Sequence, residues 1–106
     1  MNNSFKMEVI INKDGYKELI VLETYKLLSE YFQMDVQSAG GVYELNLLNQ
    51  FRNNGLDYQE IGVGNAFDLT FRKDSVSIEN VFTDEILRDI PIAFYEKCLI
   101  EWINKK

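Results

Sequence analysis

Carboxylates are the reactive groups this chain holds in quantity. Seventeen Asp and Glu residues stand against eleven Lys and Arg, with no histidine and a single cysteine, Cys98. Two carboxylates within hydrogen-bonding reach can share a proton and divide general-acid and general-base work. Two placements offer that: Asp57 with Glu60 in one segment, and Asp68 with Glu79 across a polar turn. Such pairs arise readily in so acidic a chain, and neither comes with the nucleophile, base and orienting group that a catalytic constellation combines. Without histidine, serine–histidine and cysteine–histidine nucleophilic catalysis drop out, and a zinc site would have to be built from carboxylates, an uncommon set. A protein that is not an enzyme and has no cofactor or metal is expected.

Three further stretches test that expectation. "IGVGNAF", residues 61–67, sets two glycines one residue apart, as a phosphate-cradling loop does. A dinucleotide fingerprint needs a third glycine three residues on, opening a helix whose amides face the pyrophosphate. That position is Phe67, and Phe67, Leu69 and Phe71 alternate with Asp68, Thr70 and Arg72 as in a half-buried strand. Gly62 and Gly64 therefore read as a bend or bulge beside a sheet. "DSVSIENVFTDE", 74–85, has acids at the first and last places of a calcium loop, yet its sixth place is Glu79 instead of glycine. Cys98 falls among the apolar residues of a helical stripe, as a buried structural thiol does.

These residues are positioned by elements that the hydrophobic spacing predicts. "MEVII", 7–11, is a short β-branched run. Tyr16, Leu19, Ile20, Leu27, Leu28, Tyr31 and Phe32 recur at threes and fours, predicting a long helix from Asp14 to near Met34, capped by Asn12 or Asp14. "SAGG", 38–41, breaks it. A second helix is expected from about Glu44 to the stop signal Asn54-Gly55, although a strand over 42–46 also fits. From Tyr58 to Phe82 the period is two, with "RKDS" as the turn. Phe67, Leu69, Phe71, Val76 and Ile78 make the apolar face, and Asp68, Thr70, Arg72, Ser75, Ser77 and Glu79 the wet one. Thr83 with Asp84 and Glu85 resembles a helix start, predicting a helical turn over 84–89. A last helix then begins near Pro91, with Ile92, Tyr95, Leu99, Trp102 and Ile103 on one stripe. The expected fold is a single α+β domain over 1–106, an antiparallel sheet of about three strands with two to four helices packed on one face.

Bulk properties narrow the function class. An apolar fraction of 46% with 13% aromatics marks a folded protein. No apolar run approaches the ~18 residues that span a membrane, and no secretory leader is recognisable, so a cytoplasmic chain is expected. The net charge is −6, and between Asp57 and Asp89 eight carboxylates meet three cations. That balance disfavours nucleic acid and anionic lipid as partners and favours basic proteins.

"SAGGVYELNLLNQF", the paired strands "FDLTFRKDSVSIENVF" and the closing "IAFYEKCLIEWI" together resemble small bacterial immunity proteins that neutralise ribonuclease toxins of contact-dependent growth inhibition systems. The resemblance covers the C-terminal two thirds and is one of pattern, without an invariant motif. It implies a cytosolic inhibitor that binds a cationic nuclease domain and blocks its substrate-binding surface. Charge and expected exposure select Asp57, Tyr58, Glu60, Asp68, Glu79, Asp84 and Glu85 as partner-binding residues, Tyr58 as an aromatic anchor among carboxylates. An adaptor or regulatory subunit of a larger complex is the alternative, and a carboxylate mimic of DNA a third class.

Overall fold

A computed structural model describes residues 5–62 and 66–106, which form six strands in two antiparallel sheets together with helices, an α+β arrangement. The chain begins as a hairpin of β1 (Met7–Ile11) and β2 (Lys17–Val21). Asn12 sets its turn: its side-chain oxygen accepts the amides of Asp14 at 2.9 Å and Tyr16 at 3.0 Å. Gly15 then takes φ 87°, a conformation in which a Cβ would be strained. The helix expected from Asp14 is therefore corrected to a strand over its first third, and Asn12 caps a hairpin, not a helix.

Helix follows only from Glu23, as a 3-10 turn (Glu23–Tyr25), α1 (Lys26–Tyr31), a π-helical turn (Phe32–Val36) and α2 (Gln37–Ala39), so it also runs past Met34. In the π turn the Gln37 amide donates to the Phe32 carbonyl five residues back. Gly40 and Gly41, at φ 94° and 89°, stop the chain and redirect it into α3 (Val42–Asn53). The 42–46 segment is thus helical, and Gly55, at φ 65°, follows the end of α3 as the Asn54-Gly55 signal predicts.

The second sheet has the order β3 (Tyr58–Ile61), β4 (Phe67–Arg72), β5 (Ser75–Asn80), β6 (Ile86–Pro91), each strand antiparallel to the next. Phe67, Leu69, Phe71, Val76 and Ile78 are all buried on its inner face, as the alternation predicts. The helical turn expected over 84–89 is instead the fourth strand. Thr83 closes a local turn, accepting the Glu85 amide at 3.3 Å, and Asp84 at φ 63° carries the chain into β6. Six strands replace the expected three or so.

Helix α4 (Ile92–Asn104) returns under the sheet, its Tyr95, Cys98, Leu99 and Trp102 buried in one cluster with Phe32, Phe71 and Ile90. The β1–β2 hairpin covers the other side of α4. Lys17 Nζ donates to the Trp102 carbonyl at 2.6 Å, a cation at a helix C-terminus, and Gln37 bridges to the Lys17 backbone. Asp35, 6% exposed, ties the π turn to the sheet: its carboxylate accepts the amides of Ala66 at 3.0 Å and Phe67 at 3.1 Å. That contact fixes where β4 begins, and hence which residues of β4 face outward.

Candidate functional site

With its inner face filled by helices, the four-stranded sheet turns its polar face outward as an open depression of about 750 Å³. Strand alternation decides which side chains stand there. Tyr58 and Glu60 come from β3, Asp68, Thr70 and Arg72 from β4, Ser77 and Glu79 from β5, and Ile86, Arg88 and Asp89 from β6. Carboxylates predominate, Glu60, Asp68, Glu79 and Asp89 against Arg72 and Arg88.

The face is graded along its length. At one end Asp68, Glu79 and Ile86 form a row across three strands by direct register. Like charges opposite one another on neighbouring strands repel, so the Asp68–Glu79 pair is poised to gain from an incoming cation. At the other end, ~13 Å along β4, Tyr58 stands opposite Arg72. The guanidinium lies 4.9 Å from the Tyr58 ring centre, and the Tyr58 hydroxyl donates to Glu60 Oε1 at 2.6 Å. This hydrogen bond to a carboxylate raises the phenol's pKa, and Tyr58 is held as a half-exposed ring between a cation and an anion. Asp57 lies just outside β3 at this mixed-charge end.

Asp84 and Glu85 sit beyond the acidic end, in the loop joining β5 to β6. The structure therefore brings Tyr58, Glu60, Asp68 and Glu79 onto one face, while Asp57 flanks one end and Asp84 and Glu85 the opposite end. Gly62 borders the depression; Gly64 lies outside the described residues.

Ile86, Arg88 and Asp89 do not stand out in the sequence, whose spacing predicts a helical turn over 84–89 where β6 lies, and neither does Phe82. Phe82 sits at the tip of the β5–β6 loop and is 77% exposed, the most exposed large apolar side chain described. Its loop is nonetheless pinned. The buried Asn80 accepts the amides of Phe82 at 2.9 Å and Thr83 at 3.2 Å, and the Val81 amide donates to the Ala66 carbonyl at 2.9 Å. A preordered aromatic loses little entropy on being buried by a partner. The signal for it was the Asn80 side chain, an Asx-turn former directly after a β-period run.

Elsewhere polar chemistry is turned inward. The Tyr31 and Tyr95 hydroxyls share a 2.9 Å hydrogen bond in the core, and burial raises both pKa values. Cys98 is fully enclosed, and burial pushes its thiol up to about 12, away from the thiolate that reacts. Among the described residues no group of three or more His, Cys, Asp or Glu could hold a metal ion, and no helix is long and apolar enough to cross a membrane. Comparison with protein-family models, curated proteins and solved structures gave no match.

Proposed function

We propose that this chain is a non-catalytic inhibitor that binds a cationic protein through the outer face of its four-stranded sheet. On the immunity-protein resemblance of its C-terminal two thirds, the partner is the nuclease domain of a toxin met in the cytoplasm. The observation that carries this reading is the Asp68–Glu79–Ile86 row at the end of the sheet from which the pinned loop bearing the exposed Phe82 extends.

A nuclease cleft is cationic because it must hold phosphates. Carboxylates in a row can occupy it in their place, and opposite fields speed the encounter. Charge alone gives rate more than affinity, and a buried aromatic anchor supplies the latter. Phe82 and Ile86 suit that role at the acidic end, and Tyr58 at the other. Asp57, Glu60, Asp84 and Glu85 then form the charged rim that steers approach.

The test is inhibition. Basic proteins captured by the chain from lysate of its source cells at low salt are purified and assayed for nuclease activity with increasing amounts of the chain. The proposal expects a ribonuclease whose activity is abolished at a one-to-one ratio. A captured nuclease that stays fully active in the complex, or the absence of any nuclease among the partners, overturns it.

A second reading, an adaptor subunit, is favoured by one separate observation: the β1–β2 hairpin leaves Ile11, Ile20 and Leu22 exposed. These residues would lie in the interface of a multi-subunit assembly, and the same capture would return the other subunits at high salt as well as low.

A further inference from the structure

On the helix side of the β3 edge, away from the outer face, lies a cavity of about 260 Å³. That is below the ~300–1,000 Å³ of pockets that hold drug-sized molecules, so it suits a group the size of one side chain. Glu44 is part of its wall. Glu44 is only 4% exposed, and its Oε1 has no hydrogen-bond partner among the described residues. A buried carboxylate oxygen left unpaired is costly, and in folded proteins it usually has a donor.

The surroundings say which donor fits. Asp35 is on the same wall, with its carboxylate already receiving the Ala66 and Phe67 amides, and its charge acts on Glu44 in the same direction as burial does, favouring the neutral acid. The backbone amides of Glu44 and Gly41 partly offset this by favouring the charged form, but no Lys or Arg is among the described residues around the cavity. Apolar side walls come from Leu47, Ile61 and Leu69, and the exposed Tyr43 adds a ring face. Carboxylates at one place, hydrocarbon along the sides and an aromatic ring match a cationic head on a methylene stem.

The geometry points to a binding site for one alkylammonium or alkylguanidinium group, its head at the Glu44 carboxylate and its stem along Leu47, Ile61 and Leu69. The group can belong to a free small amine or to a lysine or arginine side chain of a protein, and the chemistry of recognition is the same. This inference does not depend on the outer-face reading, since the cavity lies on the other side of the sheet and its test involves no nuclease.

Two-dimensional NMR of the intact chain titrated with n-butylguanidinium, n-butylammonium and uncharged n-butanol tests it. The expected result is saturable shifts at Tyr43, Glu44 and Leu47 with dissociation constants on the order of millimolar, the range open to a ligand of about eight heavy atoms. Butanol should bind at least tenfold more weakly. Glu44→Gln should weaken the cations at least tenfold, and Tyr43→Leu about two- to fivefold. N-acetyl-arginine methylamide distinguishes the sources: binding as tight as butylguanidinium means a protein side chain fits, and loss of binding means a free amine. Failure of both cations to saturate, parity with butanol, or unchanged affinity in Glu44→Gln overturns the site. Should Glu44→Gln not fold, the butanol control and Tyr43→Leu decide alone.

Discussion

Replacing Asp35 with alanine removes the acceptor of two backbone amides at the start of β4. Both oxygens are in use, accepting Ala66 N at 3.0 Å and Phe67 N at 3.1 Å. Ala66 and Phe67 are each 1% exposed, so water cannot take over. A buried donor left unsatisfied costs ~1–3 kcal/mol, giving about 2–5 kcal/mol for the pair once some relaxation is allowed. Against a total stability of ~5–15 kcal/mol for a small domain, that is a large fraction. Asp35→Asn keeps one acceptor and should cost about half as much. Urea unfolding measures both, and hydrogen exchange locates the effect: the Ala66 and Phe67 amides should lose protection before those in the middle of β4 and β5. An alanine variant within ~0.5 kcal/mol of wild type would refute the claim that this carboxylate anchors the sheet.

Gly41→Ala should destabilise by roughly 2–4 kcal/mol, because a left-handed backbone costs ~1–2 and crowding adds the rest. A Cβ there meets Ile103 Cγ1 at 2.9 Å and Trp102 Cδ1 at 3.3 Å, whereas at Gly40 it meets nothing within 4 Å. Gly40→Ala should therefore cost less in the same denaturation series, and equal costs would contradict the packing. Burial raises the Glu44 carboxyl above its ordinary 4.5. A raised folded-state value contributes stability below the unfolded value, and that contribution is lost as pH rises through the folded one. Glu44→Gln should thus gain on wild type between about pH 4.5 and neutrality, and a pH-independent difference in urea midpoints would argue against a buried carboxyl. Iodoacetamide should label Cys98 on the order of 100-fold more slowly in the native protein than in urea. Comparable rates would mean that α4 does not enclose the thiol.

The parts of the fold that were legible in the sequence are those where one period stood alone. Phe67, Leu69 and Phe71 opposite Val76 and Ile78 left no helical alternative, and the Asn54-Gly55 stop fixed the end of α3. Two strands were hidden by spacing that imitates a helix. Tyr16, Leu19 and Ile20 fall at three and four although residues 17–21 are extended, and the deciding feature was the Asp14-Gly15 turn after Asn12. In β6 an irregularity at Arg88 and Asp89, with Asp89 at φ 60°, puts the inward residues Leu87 and Ile90 three apart. Of the site, the outward charges Glu60, Asp68 and Glu79 followed from alternation. Glu44 could not be picked out, since nothing near it in the chain distinguishes a buried carboxylate from sixteen others. Its enclosure comes from elements distant in sequence.

The outer face is tested most directly by the kinetics of association between the captured nuclease and two folded variants, one with Asp68→Lys and Glu79→Lys together, the other with Phe82→Ser. The charge-reversed chain should associate more slowly, and the wild-type on-rate should fall with salt, because exposed charges are screened within ~8 Å at physiological ionic strength. Phe82→Ser should leave the on-rate nearly unchanged and raise the off-rate on the order of 30-fold, as losing a ~2 kcal/mol anchor does. If both variants bind and inhibit as wild type does, the partner docks elsewhere and the acidic face serves only solubility.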